Sequence, residues 1–146
     1  MNYENKSKEV LLVEDNEGDI VLTLDALNGI NAGGNVNVVK DGEEALEFLY
    51  KQGRFKEAKT PDIILLDINL PRVDGKEVLK KIKTDSRLMQ IPVVMLTTSN
   101  SAKDIEESYQ HHANCYITKP MDQAMFKEAM QEMKKFWFSI VQLPKN

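Results

Sequence analysis

Three carboxylates and one lysine carry the chemistry open to this chain of 146 residues. Glu14 and Asp15 close the apolar run Val10-Leu11-Leu12-Val13, and Asp67 closes a second, Ile63-Ile64-Leu65-Leu66. A charge at the end of a dry run needs a reason, because an unpaired buried carboxylate is costly. Crowded together, the three repel. At an effective dielectric near 20, two charges about 4 Å apart interact by roughly 4 kcal/mol. Some must then be protonated, or a cation must sit among them. Mg²⁺ suits the set, since it prefers oxygen ligands, uses few protein carboxylates and keeps several waters. Zinc does not. His111 and His112 are sequence neighbours that point to different faces of a helix and read as solvated surface, and the one cysteine, Cys115, lies in a strand.

Lys119 and Thr97 close two further runs, Cys115-Tyr116-Ile117-Thr118 and Pro92-Val93-Val94-Met95-Leu96. A carboxylate with Mg²⁺, an ammonium and a hydroxyl nearby can act as a nucleophile towards phosphorus. The cations neutralise the phosphoryl oxygens while the carboxylate attacks in line. Two simpler readings stand beside this one. Asp67 can cap a turn or the next helix, and Lys119 can form an ordinary ion pair with Asp67.

The elements that must position these groups follow from periodicity. Ile63–Leu66, with Pro61 before it and Pro71 and Gly75 after it, predicts a strand buried on both faces of a parallel sheet. Val10–Val13, Val36–Val39, Pro92–Leu96 and Cys115–Thr118 predict four more. Ile20, Val21, Leu24 and Leu27 form the stripe of a first helix, capped by Asn16 or Asp15 and broken at Gly29 and Gly33-Gly34. After the turn Asp41-Gly42, the residues Ala45, Leu46, Phe48 and Leu49 line a second. Lys51–Thr60 is a polar connection of more than the usual length. Val78, Leu79 and Ile82 mark a third helix. A fourth, weakly amphipathic, runs from a Ser101 cap to about His112. The last carries Phe126, Ala129, Met130, Met133, Trp137 and Ile140 on one stripe.

Five strands alternating with five helices predict an α/β, doubly wound, five-stranded parallel sheet of flavodoxin-like type. All its strand carboxyl ends lie on one edge, where ligands bind in such sheets. Four separate runs thus bring Glu14, Asp15, Asp67, Thr97 and Lys119 to one place. Residues 1–8 read as a flexible polar lead, 9–138 as the domain, and 139–146 as a tail that can join a dimer interface.

Apolar content of 42% and charged content of 29% are ordinary for a soluble globular chain. A net charge of −4 with scattered basic residues gives no reason to expect DNA binding. No apolar run approaches the ~20 residues needed to cross a bilayer, and Met1–Lys8 is no signal peptide. A lone cysteine makes no internal disulfide, so a cytoplasmic location is expected.

Four motifs in order, Leu12-Val13-Glu14-Asp15, Leu66-Asp67-Ile68-Asn69-Leu70-Pro71 with Asp74-Gly75, Leu96-Thr97-Thr98-Ser99, and Tyr116-Ile117-Thr118-Lys119-Pro120, resemble those of response-regulator receiver domains. The resemblance runs from Val10 to about Phe138. It implies that Asp67 accepts a phosphoryl group from the phosphohistidine of a partner histidine kinase in a two-component system. Glu14 and Asp15 would hold Mg²⁺ with Asp67 and the backbone carbonyl of Asn69, and Lys119 would contact the phosphoryl group. Thr97 would swing its hydroxyl onto a phosphoryl oxygen, and Tyr116 would turn inward behind it. Lys119–Pro120 is similar to a bond that is cis in the family. The resemblance implies self-catalysed phosphorylation and slow autodephosphorylation rather than enzyme activity, with Asn69 and Ser99 influencing the lifetime. No output module follows, so output is expected through protein contacts.

Lys51–Thr60, the run His112–Lys119 and the Phe136-Trp137-Phe138 ending near Leu143-Pro144 resemble the stand-alone regulators that serve phytochrome-type histidine kinases. That subgroup often dimerises through its C-terminal side. Phe138 and Met125 fall off the last helix's stripe, which suggests a homodimer interface; alternatively the Leu143-Pro144 tail folds back over them. A Mg²⁺-dependent hydrolase with an aspartyl-phosphate intermediate would use a similar set, but it commonly wants a second acid where this chain has Asn69. A flavodoxin-like cofactor binder wants a phosphate loop where Glu14-Asp15 would repel phosphate.

Overall fold

Alternation along the central strands builds two cores. In β1 (Glu9–Val13), β3 (Ile63–Leu66) and β4 (Val93–Thr97), nearly every side chain is buried. Successive side chains of a strand point to opposite faces. Leu11, Val13, Ile64, Leu66, Val93 and Met95 therefore face one way, and pack with residues of α2 (Gly42–Leu49) and α3 (Gly75–Thr84). Val10, Leu12, Ile63, Leu65, Val94 and Leu96 face the other, against α1 (Glu17–Asn28) and α5 (Gln123–Lys135). With β2 (Asn35–Val39) and β5 (Cys115–Thr118) at the edges, the five strands lie in the order β2-β1-β3-β4-β5, all parallel. This computed structural model describes residues 8–28 and 35–144. The expected lead over 1–8, apart from Lys8, and the breaks at Gly29 and Gly33-Gly34 lie outside them.

Helix starts are fixed by side-chain caps. Asn16 Oδ1 accepts from Asp19 N at 2.9 Å, Asp41 from Glu44 N at 2.7 Å, Asp74 from Lys76 N at 2.8 Å and Ser101 from Asp104 N at 3.1 Å. Asp74, not Asp67, caps the helix after β3. The connection Lys51–Thr60 contains a 3₁₀ turn, Gly53–Phe55, whose Phe55 ring meets Phe48 edge-on at 5.3 Å.

Three expectations are corrected. On α1, Val21 is exposed, while Thr23 and Ala26 are buried, because the buried face lies over Ala26 and Leu27 rather than along the apolar letters. At the end of α5 the chain widens into a π-helical turn, Phe136–Ile140, closed by Val141 N–H to Phe136 O at 2.9 Å. A π turn shifts the register by a residue. Ile140 is carried off the stripe and exposed, Phe138 packs half-buried against the core, and Phe136 is the exposed aromatic. Finally, no peptide bond among the described residues is cis, so Lys119–Pro120 is trans, the usual X–Pro state.

The helix α4 (Ala102–Gln110) differs from the rest. Its buried residue is Ser108, whose hydroxyl has no hydrogen-bond partner. An unmet buried hydroxyl costs about 1–3 kcal/mol.

Two glycines admit the loop after β3. A Cβ on Gly75 would stand 1.9 Å from the carbonyl oxygen of Asp67, and one on Gly42 would stand 1.8 Å from that of Val73. Gly75→Ala should therefore push Asp67's backbone out of line and lower unfolding free energy by about 1–3 kcal/mol. Urea unfolding followed by circular dichroism measures this, with Gly18→Ala, beside only Asn16 Oδ1 at 3.3 Å, expected to cost less.

Candidate functional site

The site is assembled by backbone register. Val13 pairs with Leu66 across β1 and β3, so the next residue on each strand, Glu14 and Asp67, stand side by side. Each extends the ladder one step: Glu14 N–H donates to Val39 O at 3.0 Å, and Asp67 N–H to Val13 O at 3.1 Å. Likewise Thr97 pairs with Thr118, and Lys119 N–H donates to Thr97 O at 2.7 Å. β1 lies between β2 and β3, so the chain reverses its winding at this point, the usual ligand crevice of an open α/β sheet.

One oxygen each of Glu14, Asp15 and Asp67 lies within 4.8 Å of the others. Glu14 and Asp67 are buried and Asp15 is exposed. Lys119 is 5% exposed, and its Nζ bonds Glu14 Oε2, reaches Asp19 Oδ2 at 2.9 Å and Asp67 Oδ2 at 3.4 Å. The pair with Asp67 is thus real, but it is one of three. Burial raises the pKa of Glu14 to about 7, against the pull of its Lys119 bond and with the Asp67 charge adding to the rise. Burial also works against the charge on Lys119, yet its bonds to Glu14 and Asp19 and the Asp67 charge outweigh it and hold the ammonium above its ordinary value. Three carboxylates thus share one ammonium, and Asp15 stands beside them as a fourth. A donor set of hard oxygens in negative excess fits a divalent cation such as Mg²⁺.

Thr97 is fully buried, and its Oγ accepts from Ser99 N–H at 3.3 Å. Tyr116 packs against the α2–α3 core, and its hydroxyl donates to Ser99 O at 2.8 Å. Asn69 is exposed, and its N–H reaches Asp67 Oδ1 at 3.4 Å.

A family model described as the response regulator receiver domain matches residues 10–131. The chain belongs to the response-regulator receiver family. Response regulator Rcp1 of Synechocystis sp. is 40% identical over 140 residues, 96% of this chain and 95% of that one. The phosphorylated cyanobacterial phytochrome response regulator RcpA superposes with a TM-score of 0.93 at 44% identity, covering 95% of this chain and 99% of its own. The Mn²⁺-bound form of Rcp1 gives 0.92 at 40%, over 94% and 99%.

The receiver works in two-component signalling, and its partner is a histidine kinase. The hydrolase alternative is not favoured by this match. Asp19 is the receiver residue that sequence reasoning missed. It sits in the first turn of α1, an acid placed one helical turn beyond the Glu14-Asp15 pair, and that spacing was the available signal. No described helix is long and apolar enough to cross a membrane.

The raised Glu14 pKa has a sign that can be tested. Between its unfolded value near 4.5 and about 7, the folded chain holds a proton that the unfolded chain has lost. Stability from this group therefore falls as pH rises through that window. A divalent ion needs the ionised carboxylate, so it binds more tightly as pH rises. The melting-temperature gain on adding MgCl₂ should be larger at about pH 8 than at about pH 5.5, and Glu14→Gln should shrink the difference.

Proposed function

We propose that Asp67 accepts a phosphoryl group from a histidine kinase, with Glu14, Asp15, Asp67 and the Asn69 carbonyl as ligands of Mg²⁺. The reading rests on one observation, the three carboxylates within 4.8 Å of one another with Lys119 bonded among them. Asp67 attacks phosphorus in line, its Oδ–P bond forms, and the bond to the donor imidazole breaks. Lys119 supplies fixed positive charge to the phosphoryl oxygens. Mg²⁺, when bound, supplies further charge neutralisation at the same oxygens.

Transfer replaces a carboxylate by a group of about −1.5 to −2 charge with strong acceptor oxygens. Thr97 then donates its hydroxyl to a phosphoryl oxygen, in front of a Tyr116 ring that already packs inward. The face of α4, β5 and α5 shifts between two packed arrangements. The same site catalyses its own phosphorylation and slow hydrolysis, with Asn69 and Ser99 controlling the approach of water.

The likeness to the phytochrome response regulator RcpA supports a phytochrome-type kinase as partner. The lone cysteine supports a cytoplasmic location, and a net charge of −4 with scattered basic residues supports a reading without DNA binding. The receiver spans 9–138 and the tail 139–146 joins an interface between two copies. Met121, Met125, Phe136 and Ile140, all exposed and close to the C-terminal helix, support a homodimer there.

Incubation with Mg²⁺ and acetyl phosphate should yield one phosphoryl adduct by intact mass, absent in Asp67→Asn. Rapid turnover without adduct would favour a hydrolase instead. Light scattering at tens of micromolar should give twice the monomer mass, and Phe136→Ser with Ile140→Ser should return the monomer.

A further inference from the structure

The attachment of α4 is ionic where the other helices are held by apolar residues. Ile105 is half-buried, Tyr109 is exposed, and the one fully buried side chain, Ser108, is polar. Across the gap from α3, Lys76 places its Nζ 2.9 Å from Asp104 Oδ1 and 2.6 Å from Glu107 Oε2. The three side chains are shielded, with exposures of 25%, 21% and 33%. The other cation facing this cluster, Lys103, is largely exposed and 3.9 Å from Glu107. Asp104's second oxygen takes the hydroxyl of Ser99, and the N–H of Ser99 donates to Thr97 Oγ. A line of contacts thus runs from Lys76 through Asp104 and Ser99 to Thr97.

We propose that Lys76 is a positioning residue that latches α4 and the turn after β4 in the arrangement seen here, holding the Thr97 side chain on Ser99 N–H and away from a phosphoryl group at Asp67. The inference rests on the phosphoacceptor reading above. Rotating Thr97 gives up its bond from Ser99 N–H. Ser99 cannot follow the rotation while Asp104 holds its hydroxyl and Lys76 holds Asp104. Loss of the ammonium frees Asp104 and leaves it facing Glu107 one turn away, a like-charge pair that pushes α4 off its seat. The latch therefore opposes the phosphorylated arrangement, and its release should favour it.

The test measures the rate of adduct formation from acetyl phosphate and Mg²⁺, and the affinity for beryllofluoride by calorimetry. Lys76→Met keeps the aliphatic stem and removes the charge. Its adduct rate and beryllofluoride affinity should both rise, by up to about fivefold, the range to which such an ion-pair coupling converts. Lys76→Arg should stay near wild type. In a Thr97→Ala background, Lys76→Met should bring no gain, which a merely structural role for Lys76 would not predict. A folded Lys76→Met that matches wild type, or a gain that survives Thr97→Ala, overturns the latch alone. Should Lys76→Met not fold, Glu107→Gln removes one arm of the clasp and should give a smaller gain of the same sign; an unchanged or lower rate there overturns the proposal. A wild-type chain that takes no adduct at all overturns the phosphoacceptor reading and the latch with it.

Discussion

The buried ammonium of Lys119 is the constraint on which the functional edge depends. A lysine almost wholly removed from water is costly unless several acceptors surround it, and Glu14, Asp19 and Asp67 do so. The dependence is mutual. Glu14 and Asp67 are themselves buried at the ends of apolar strands, and without the ammonium they would face each other unshielded. The balance is nevertheless incomplete, because Asp15 adds a fourth carboxylate to a single base. That residual negative charge gives a divalent cation its place, and burial holds the Glu14 carboxyl above its ordinary pKa there.

Side chains meet there only because the backbone delivers them in register. Val13 opposite Leu66 sets Glu14 and Asp67 at one level; with Leu66 opposite Met95 and Met95 opposite Tyr116, Lys119 emerges two residues further along and its long side chain reaches back to them. A one-residue slip would turn every strand side chain to the other face, exchanging the two cores and dispersing the site. The alternation that keeps Leu11 and Val13 on one side and Val10 and Leu12 on the other is therefore also what aims Glu14 at Lys119. Fold and function are specified by the same pattern. Gly75 and Gly42 complete it by letting the loop after β3 lie against two helix starts, closer than any side chain would allow.

Much of this was legible in the letters. Short apolar runs ending in acid, hydroxyl or lysine gave β1, β3, β4 and β5 and the convergence at their ends, while β2, exposed along much of its length, was read from its β-branched residues. Caps were readable as well: Ser101 and Asn16 are of the types that satisfy free N–H groups at helix starts. What escaped depended on the third dimension. Val21 and Thr23 lie about 200° apart around α1, on nearly opposite faces, and the packing of α5 decided which of them was covered. The π turn at Phe136–Ile140 broke the 3.6 period on which Ile140 and Phe138 had been placed. Asp19 looked like an ordinary first-turn acid until Lys119, a hundred residues on, reached it. The clasp of Lys76 with Asp104 and Glu107, 28 and 31 residues away, is likewise outside any local pattern.

The two cores and α4 are held by different forces, and that division suits a switch. Central strands with exposures near zero, backed by α2, α3, α1 and α5, make a body that cannot deform in small steps. Elements that move are drawn from the least stable parts of a structure. Here that part is α4, seated by ions and a cap, with an unmet hydroxyl on its inner face. It begins five residues after Thr97, so any change in where Thr97 points is felt at its first turn. Under the proposed phosphoacceptor reading, charge placed on Asp67 would act on the described helix whose attachment is itself electrostatic, and a rearrangement there would leave both apolar cores intact.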